Sequence, residues 1–328
     1  TMDHRGPDFG EIGLEILAGV KKVFGTDNHV IVYPSSGTGA WEAALVNTLS
    51  PGDKVLMFET GQFATLWQEL AEKHGLEVEF IDGDWRHGVD AGLVEEKLKA
   101  DSGHSIKAVC MVHNETSTGV ASNIATARQA MDAAGHPALL MVDTISSLGS
   151  LDYRHDDWGV DITVSCSQKG LMLPPGLGFN AISDKALEMS KSNGFTRSYW
   201  DWQAMITNNA SGFFPYTPAT NLLYGLREAL KMLDEEYEDV TAAIWYPVLN
   251  IENNDLFIEN IRKLGSNRIT RIELPLKKYN EEIGMKGSGI ILFNGSNFLI
   301  NNMKDCVKEL FQIFKDENCN IKPKIQRI

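Results

Sequence analysis

Cysteine is scarce in this chain. There are 4 in 328 residues, and Cys110, Cys166, Cys306 and Cys319 form neither a CxxC pair nor a framework spacing. That argues against a disulfide-stapled scaffold and against a cysteine-built metal site, and no metal is expected. Cys110 and Cys166 sit in apolar strand-like runs and read as reduced core residues, which favours a reducing compartment. Long hydrophobic runs are missing too: no stretch reaches the ~18 uninterrupted apolar residues of a membrane span. Positive charge is in deficit, with 30 Lys+Arg against 44 Asp+Glu and a net charge of −14. Nucleic acid and anionic membrane surfaces are therefore not expected as partners, although a local basic cleft can still receive a small anion. The opening Thr1-Met2-Asp3-His4-Arg5-Gly6 lacks a signal-peptide layout, and the closing Ile325-Gln326-Arg327-Ile328 is not a peroxisomal address. A cytoplasmic location is the expectation.

What the chain does have is 43% hydrophobic residues, enough for a sizeable core. Short apolar runs alternate with helical patterns over its first two thirds. Val30–Val32, Val55–Phe58, Val78–Ile81, Ala108–Val112, Ala138–Val142, Ile162–Val164 and Gly178–Ile182 read as strands. Ala40–Leu49, Phe63–Lys73 and Ala125–Ala134 read as helices between them. Continuous apolar strands separated by helices predict an α/β fold with a mostly parallel sheet flanked by helices. Near Tyr237 the composition shifts from Ala- and Gly-rich to Asn-, Ile- and Lys-rich. The expected division is a large domain over 1–236 and a small C-terminal α/β domain over 237–328, diverged or foreign. In the second, helices are expected at Leu256–Leu264 and Met303–Phe314, and strands at Arg268–Leu274 and Gly289–Phe293.

Chemistry in such sheets gathers at the carboxyl ends of strands. Four polar stations follow strand candidates directly: Ser36-Gly37-Thr38, His113-Asn114-Glu115-Thr116, Asp143 and Lys169. Ser36-Gly37-Thr38-Gly39 opens a helix, so its amides suit a phosphate, or it is simply an N-cap turn. Phe63, after Thr60-Gly61-Gln62, is a candidate to stack on a flat heterocycle or an ordinary core aromatic. Asp143 ends a buried run and needs a partner, which a pyridinium nitrogen or an N-cap role would supply. Lys169 precedes Gly170-Leu171-Met172-Leu173-Pro174-Pro175-Gly176, a Gly/Pro-marked apolar loop. A lysine there is expected to be partly desolvated and nucleophilic; the alternative is a solvated surface lysine. A lysine amine and an upstream aspartate are the two protein groups that pyridoxal 5′-phosphate chemistry needs most.

Several stretches resemble the class V aminotransferases of the alanine/serine–glyoxylate branch. They are Met141–Gly149, Ser165–Gly170, Asn114–Gly119, Ser36–Gly39, Asp3–Pro7 and Tyr216–Leu226. The likeness runs collinearly from Thr1 to about Glu236. It implies a pyridoxal 5′-phosphate-dependent homodimer with shared active sites and the aspartate-aminotransferase type of fold, whose large sheet has seven strands. Lys169 would bind the cofactor's aldehyde carbon and Asp143 its pyridine nitrogen. Phe63 would stack on one face of the ring, with Ile145 on the other. Ser36, Gly37 and Thr38 would hold the phosphate with Gln168 nearby, and Thr217 would reach it from the neighbouring subunit. Thr116 would lie near the 3-hydroxyl, while His4 and Arg5 would reach toward substrate in the partner's site.

The activity so implied moves an amino group from serine, alanine or aspartate to glyoxylate. Two departures stand against the family pattern. The family is expected to carry a Gly- and Pro-rich segment ahead of the stretch that starts here at Thr1. No Arg-Ile-Gly-type element follows Tyr237 to clamp the substrate carboxylate, although Arg268, Arg271 and Arg327 are present. Two alternatives follow. One is a cysteine desulfurase or lyase, against which Gln168 replaces the usual histidine and Cys319 is the one loop-like cysteine. The other is a cofactor-binding remnant or fusion without transaminase activity.

Overall fold

The computed structural model describes residues 3–192 and 194–247 and the strands Ile269–Glu273, Ser288–Asn294 and Lys324–Gln326; side chains are described as far as residue 234. The chain divides into two compact units, Thr1–Lys231 and Met232–Ile328.

The first unit is organised by apolar strands that have no solvent face. β5 (Leu139–Asp143) and β6 (Ile162–Cys166) are buried at every position, and β4 (Ile106–Val112) at all but one. Strands of this kind require helices on both faces of a sheet. The seven strands run in the order β1-β7-β6-β5-β4-β2-β3, with β1 at His29–Ser35, β2 at Lys54–Phe58, β3 at Glu77–Ile81 and β7 at Gly176–Ile182. Only β7 is antiparallel to its neighbours, β1 and β6; the pairs β2–β3, β2–β4, β4–β5 and β5–β6 are parallel. The mostly parallel α/β sheet read from the sequence is the one observed.

The crossover helices are α2 (Gly37–Thr48), α3 (Gln62–Lys73), α4 (Ala91–Ala100) and α5 (Ile124–Ala134). Their starts differ in a way that bears on function. α4 and α5 are capped by their own Asp90 and Asn123, which accept the amides of Gly92 and Thr126. Neither Ser36 before α2 nor Gly61 before α3 makes a side-chain capping bond. The core joins α2 to the sheet: Trp41, Ala44 and Leu45 pack with Met141, Val164 and Trp67. Each fully buried large apolar side chain of this set contributes about 1.5–3 kcal/mol. Cys110 and Cys166 are free and buried, as expected.

The sequence pattern did not announce α1 (Pro7–Phe24), although its signals are orthodox. Pro lies in its first turn, Asp8 follows, Lys21 and Lys22 close it, and Gly25 ends it with φ +63°. α6 (Asp184–Met189), α7 (Trp202–Asn209) and α8 (Thr220–Asp239) complete the helices among the described residues. In the second unit, β8 (Val240–Pro247), β9 (Ile269–Glu273), β10 (Ser288–Asn294) and β11 (Lys324–Gln326) form an antiparallel sheet in the order β11-β8-β10-β9. β9 and β10 fall on the two expected strands, whereas the helices expected at 256–264 and 303–314 lie outside the described residues.

Candidate active site

The starts of α2 and α3, neither capped by its own N-cap residue, and the carboxyl ends of β1, β2, β4, β5 and β6 converge on one cavity of about 220 Å³. Ser36, Gly37 and Thr38 line it from the first turn of α2. A helix start without a side-chain cap leaves amide donors and the positive end of the dipole available to an anion. Gly37 packs closely on Ile145: a Cβ there would lie 2.3 Å from Ile145 Cδ1, so that side chain would have to shift. Phe63, half-buried against the main core, lines the cavity from the start of α3.

Asp143 reaches the cavity as the last residue of β5 and is 2% exposed. Both its oxygens are held: the Ile145 amide donates to Oδ1 at 2.7 Å and the Trp41 indole N–H to Oδ2 at 2.8 Å. Burial pushes its carboxyl up to about 7 against the pull of those two donors, and the negative field of Glu115 adds to the rise. A carboxylate in that condition gains most from a positively charged hydrogen-bond donor.

Ile145 sits in the turn after β5, and Thr116 in the loop after β4; both line the cavity. These loops are tied together. The Asn114 side chain donates to Ser146 Oγ at 2.8 Å, which donates back to the Asn114 carbonyl at 2.7 Å, and His113 Nδ1 lies 2.9 Å from Ser147 Oγ. Glu115 is fully buried and does the capping that Gly61 cannot. Its carboxylate accepts from the amides of Phe63 (3.3 Å) and Ala64 (3.1 Å) and from the Ser117 hydroxyl (2.7 Å). One side chain therefore fixes Phe63 and the Thr116 loop together.

Gln168 and Lys169 enter from the loop after β6. The loop is braced by Ser167, which donates to the Pro174 carbonyl at 2.8 Å and accepts from the Leu177 amide at 3.1 Å. Gly170 lets it lie directly on the turn after β5, since a Cβ there would meet the Leu148 carbonyl oxygen at 2.1 Å. Lys169 itself is exposed. The apolar loop composition had suggested a partly desolvated amine; the glycines and prolines instead hold it at the cavity rim. Gln168 Oε1 is buried without a hydrogen-bond partner.

Nine of the residues singled out from the sequence thus share one cavity, and three do not. His4 and Arg5 line a second cavity of about 300 Å³ with Phe213, Phe214, Tyr216 and Pro218. Thr217, in that same loop, is exposed and lines neither cavity. Sequence reasoning missed Trp41 and Val112 as cavity residues, and it placed Asn114 in a polar station without giving it a role. Trp41 carried a usable signal, one helical turn after the Gly37 turn on the same face.

The class-V aminotransferase family model matches residues 1–244. A second model, ribosomal RNA large subunit methyltransferase D (RlmJ), matches residues 183–322. The chain is 50% identical over 242 residues to a serine–glyoxylate aminotransferase of Methylorubrum extorquens, covering 72% of this chain and 60% of that protein. It is 49% identical over 244 residues to an L-aspartate–glyoxylate aminotransferase of Paracoccus denitrificans, covering 74% and 62%. It therefore spans about three fifths of the length of these curated relatives. A subgroup IV aspartate aminotransferase from Thermus thermophilus shares the fold, with a TM-score of 0.66 at 24% identity over 96% of this chain and 93% of that one. The matched model, the relatives and the strand-end cavity agree, and the chain belongs to the class-V aminotransferase family.

Proposed function

We propose that this chain carries the pyridoxal 5′-phosphate site of a transaminase that moves an amino group from serine, alanine or aspartate to glyoxylate. The observation that carries the reading is the single cavity in which Lys169, Asp143 and the open start of α2 meet. The names of relatives at about half identity support glyoxylate as acceptor.

The residues present fit the cofactor. The phosphate would rest on Ser36, Gly37 and Thr38, whose helix start has no cap of its own. Gln168, which also lines the cavity, would donate its side-chain N–H to the same group. Phe63 and Ile145 would take the two ring faces, and Thr116 the edge near the 3-hydroxyl. Asp143 would accept a hydrogen bond from the ring nitrogen, and Lys169 Nζ would bond the aldehyde carbon. When bound, the cofactor supplies an electron sink for charge left at the substrate's α-carbon. Asp143 keeps a negative charge beneath that sink. Once the substrate's amine had displaced it from the aldehyde carbon, Lys169 Nζ would take the proton from the substrate's α-carbon and deliver it to that former aldehyde carbon, a general base and acid on one flexible stem.

His4, Arg5 and Thr217 would serve the site of a second subunit in a homodimer, which accounts for their lying away from Lys169 in their own chain. The 1–236 part forms the cofactor domain and 237–328 a small domain, diverged or foreign. The enzyme is cytoplasmic, with small amino and oxo acids as partners rather than nucleic acid or membrane; no described helix is long and apolar enough to cross a membrane.

A second reading, cofactor binding without transamination, is favoured by the methyltransferase model that matches 183–322. One experiment separates them. Purified chain is loaded with pyridoxal 5′-phosphate and given serine, alanine or aspartate with glyoxylate. Glycine formation supports transamination. A visible cofactor band that is absent in Lys169→Ala, with no glycine from any donor, supports the second reading. No Lys169-dependent band defeats both.

A further inference from the structure

Trp41 is 2% exposed and Trp67 fully buried, and their rings stack at 5.8 Å with 10° between planes. Packing alone would account for both. The two indoles nevertheless differ in their polar ends. Trp67 Nε1 has no hydrogen-bond partner, whereas Trp41 Nε1 donates to Asp143 Oδ2 across 102 residues of chain. Trp41 also lines the cavity, and Trp67 does not. Trp41 follows Gly37 by four residues, so both lie on one face of α2. The same rigid helix whose first turn, Ser36–Thr38, lines the cavity therefore grips the carboxylate at the end of β5. With the Ile145 amide on the other oxygen, the Asp143 carboxylate has no free rotation.

We propose that Trp41 is a positioning residue that locks Asp143 and sets its distance from the helix start that receives the cofactor's phosphate. The indole N–H is a neutral donor to an anion in a buried site, so it stabilises the ionised carboxylate without adding a competing charge. The titratable groups around Asp143 are Glu115 on the β4 loop, Tyr153, Cys166 and, across the cavity, Lys169. Each is retained in the variants used below. The consequence for catalysis rests on the cofactor reading above; the positioning of Asp143 does not.

The test is made first on the cofactor-free full chain. The Asp143 carboxyl is titrated by carbon NMR from pH 4 to 9 and assigned with Asp143→Asn. Trp41→Phe keeps an aromatic ring and removes the donor; Trp67→Phe disturbs the stack and leaves the donor. Loss of one hydrogen bond to a charged group should move the Asp143 midpoint up by roughly one to two units in Trp41→Phe. Trp67→Phe should leave it within a few tenths. At pH 7.5 the dissociation constant for pyridoxal 5′-phosphate should rise about tenfold in Trp41→Phe only. An unchanged midpoint in Trp41→Phe, or an equal shift in Trp67→Phe, overturns the proposal.

If Trp41→Phe does not fold, the native chain decides. One indole N–H resonance should follow the Asp143 midpoint and stop titrating in Asp143→Asn; no titrating indole overturns the proposal. Should the native chain fail to bind pyridoxal 5′-phosphate, the cofactor reading falls while the titration still judges Trp41.

Discussion

The two cavities of the first unit are built differently. The Lys169 cavity draws on the ends of five strands and the starts of two helices, and its polar groups are held by bonds that span the chain: Trp41 to Asp143, Glu115 to Phe63, Asn114 to Ser146. The His4–Arg5 cavity is built from two short stretches, one before α1 and one running from the end of α7 toward α8, and Arg5 is exposed on it. The first arrangement ties its groups to one another across distant segments, as a cofactor that reacts at one atom demands. The second presents a charge to whatever arrives. In the proposed reading the first cavity holds the cofactor, and the second contributes to a neighbouring subunit's substrate site.

Four changes would break or sharpen that contrast. Lys169→Ala should have the largest effect, removing the visible cofactor band and lowering turnover to glyoxylate by roughly 10⁴-fold, the upper range for a positioned acid–base group. Turnover near wild type in that variant would end the assignment.

Asp143→Asn should act on stability as well as activity. A buried carboxyl whose folded value is raised from 3.8 to about 7 carries no penalty below pH 4. Its penalty grows as pH rises toward 7 and is complete above it, reaching at most about 4 kcal/mol. The cofactor-free native chain should lose stability over that window relative to Asp143→Asn, measured as the difference in denaturation midpoints between pH 4 and 8. Parallel pH curves for the two proteins would contradict the assigned cause.

Glu115→Ala should cost about 1–3 kcal/mol by stranding the Phe63 and Ala64 amides, and should weaken cofactor binding through a loosened Phe63. Thermal unfolding with and without pyridoxal 5′-phosphate separates the two effects. Arg5→Ala should do least. The cofactor band should stay intact while KM for the oxo acid rises roughly tenfold, as for one lost charge-assisted bond. A changed band would show that the two cavities are not separate in function.

The parallel sheet was legible because strands covered on both faces must be continuously apolar, as Ala138–Val142 and Ala108–Val112 are. The polar stations were legible because each interrupts such a run at its carboxyl end. α1 was harder to see, since its apolar stripe is broken by the buried glycines Gly10 and Gly13. β8 was missed because Val240–Pro247 sits beside the composition shift, where Trp245 and Tyr246 gave no periodic cue. Glu115 looked like one more loop carboxylate. Its role as the missing cap of α3 depends on amides 51 and 52 residues away.

By itself the sequence determined the α/β class, the reduced core cysteines and the residue types that carry amine and carboxylate chemistry. It could do so because the apolar period of a strand or helix is set by residues only a few positions apart. Only the tertiary structure decided that Ser36 and Lys169 share a cavity while Thr217 does not, and that Asp143 answers to Trp41. Those relations follow from strand order and register, which bring distant segments to one sheet edge and leave no local trace in the chain.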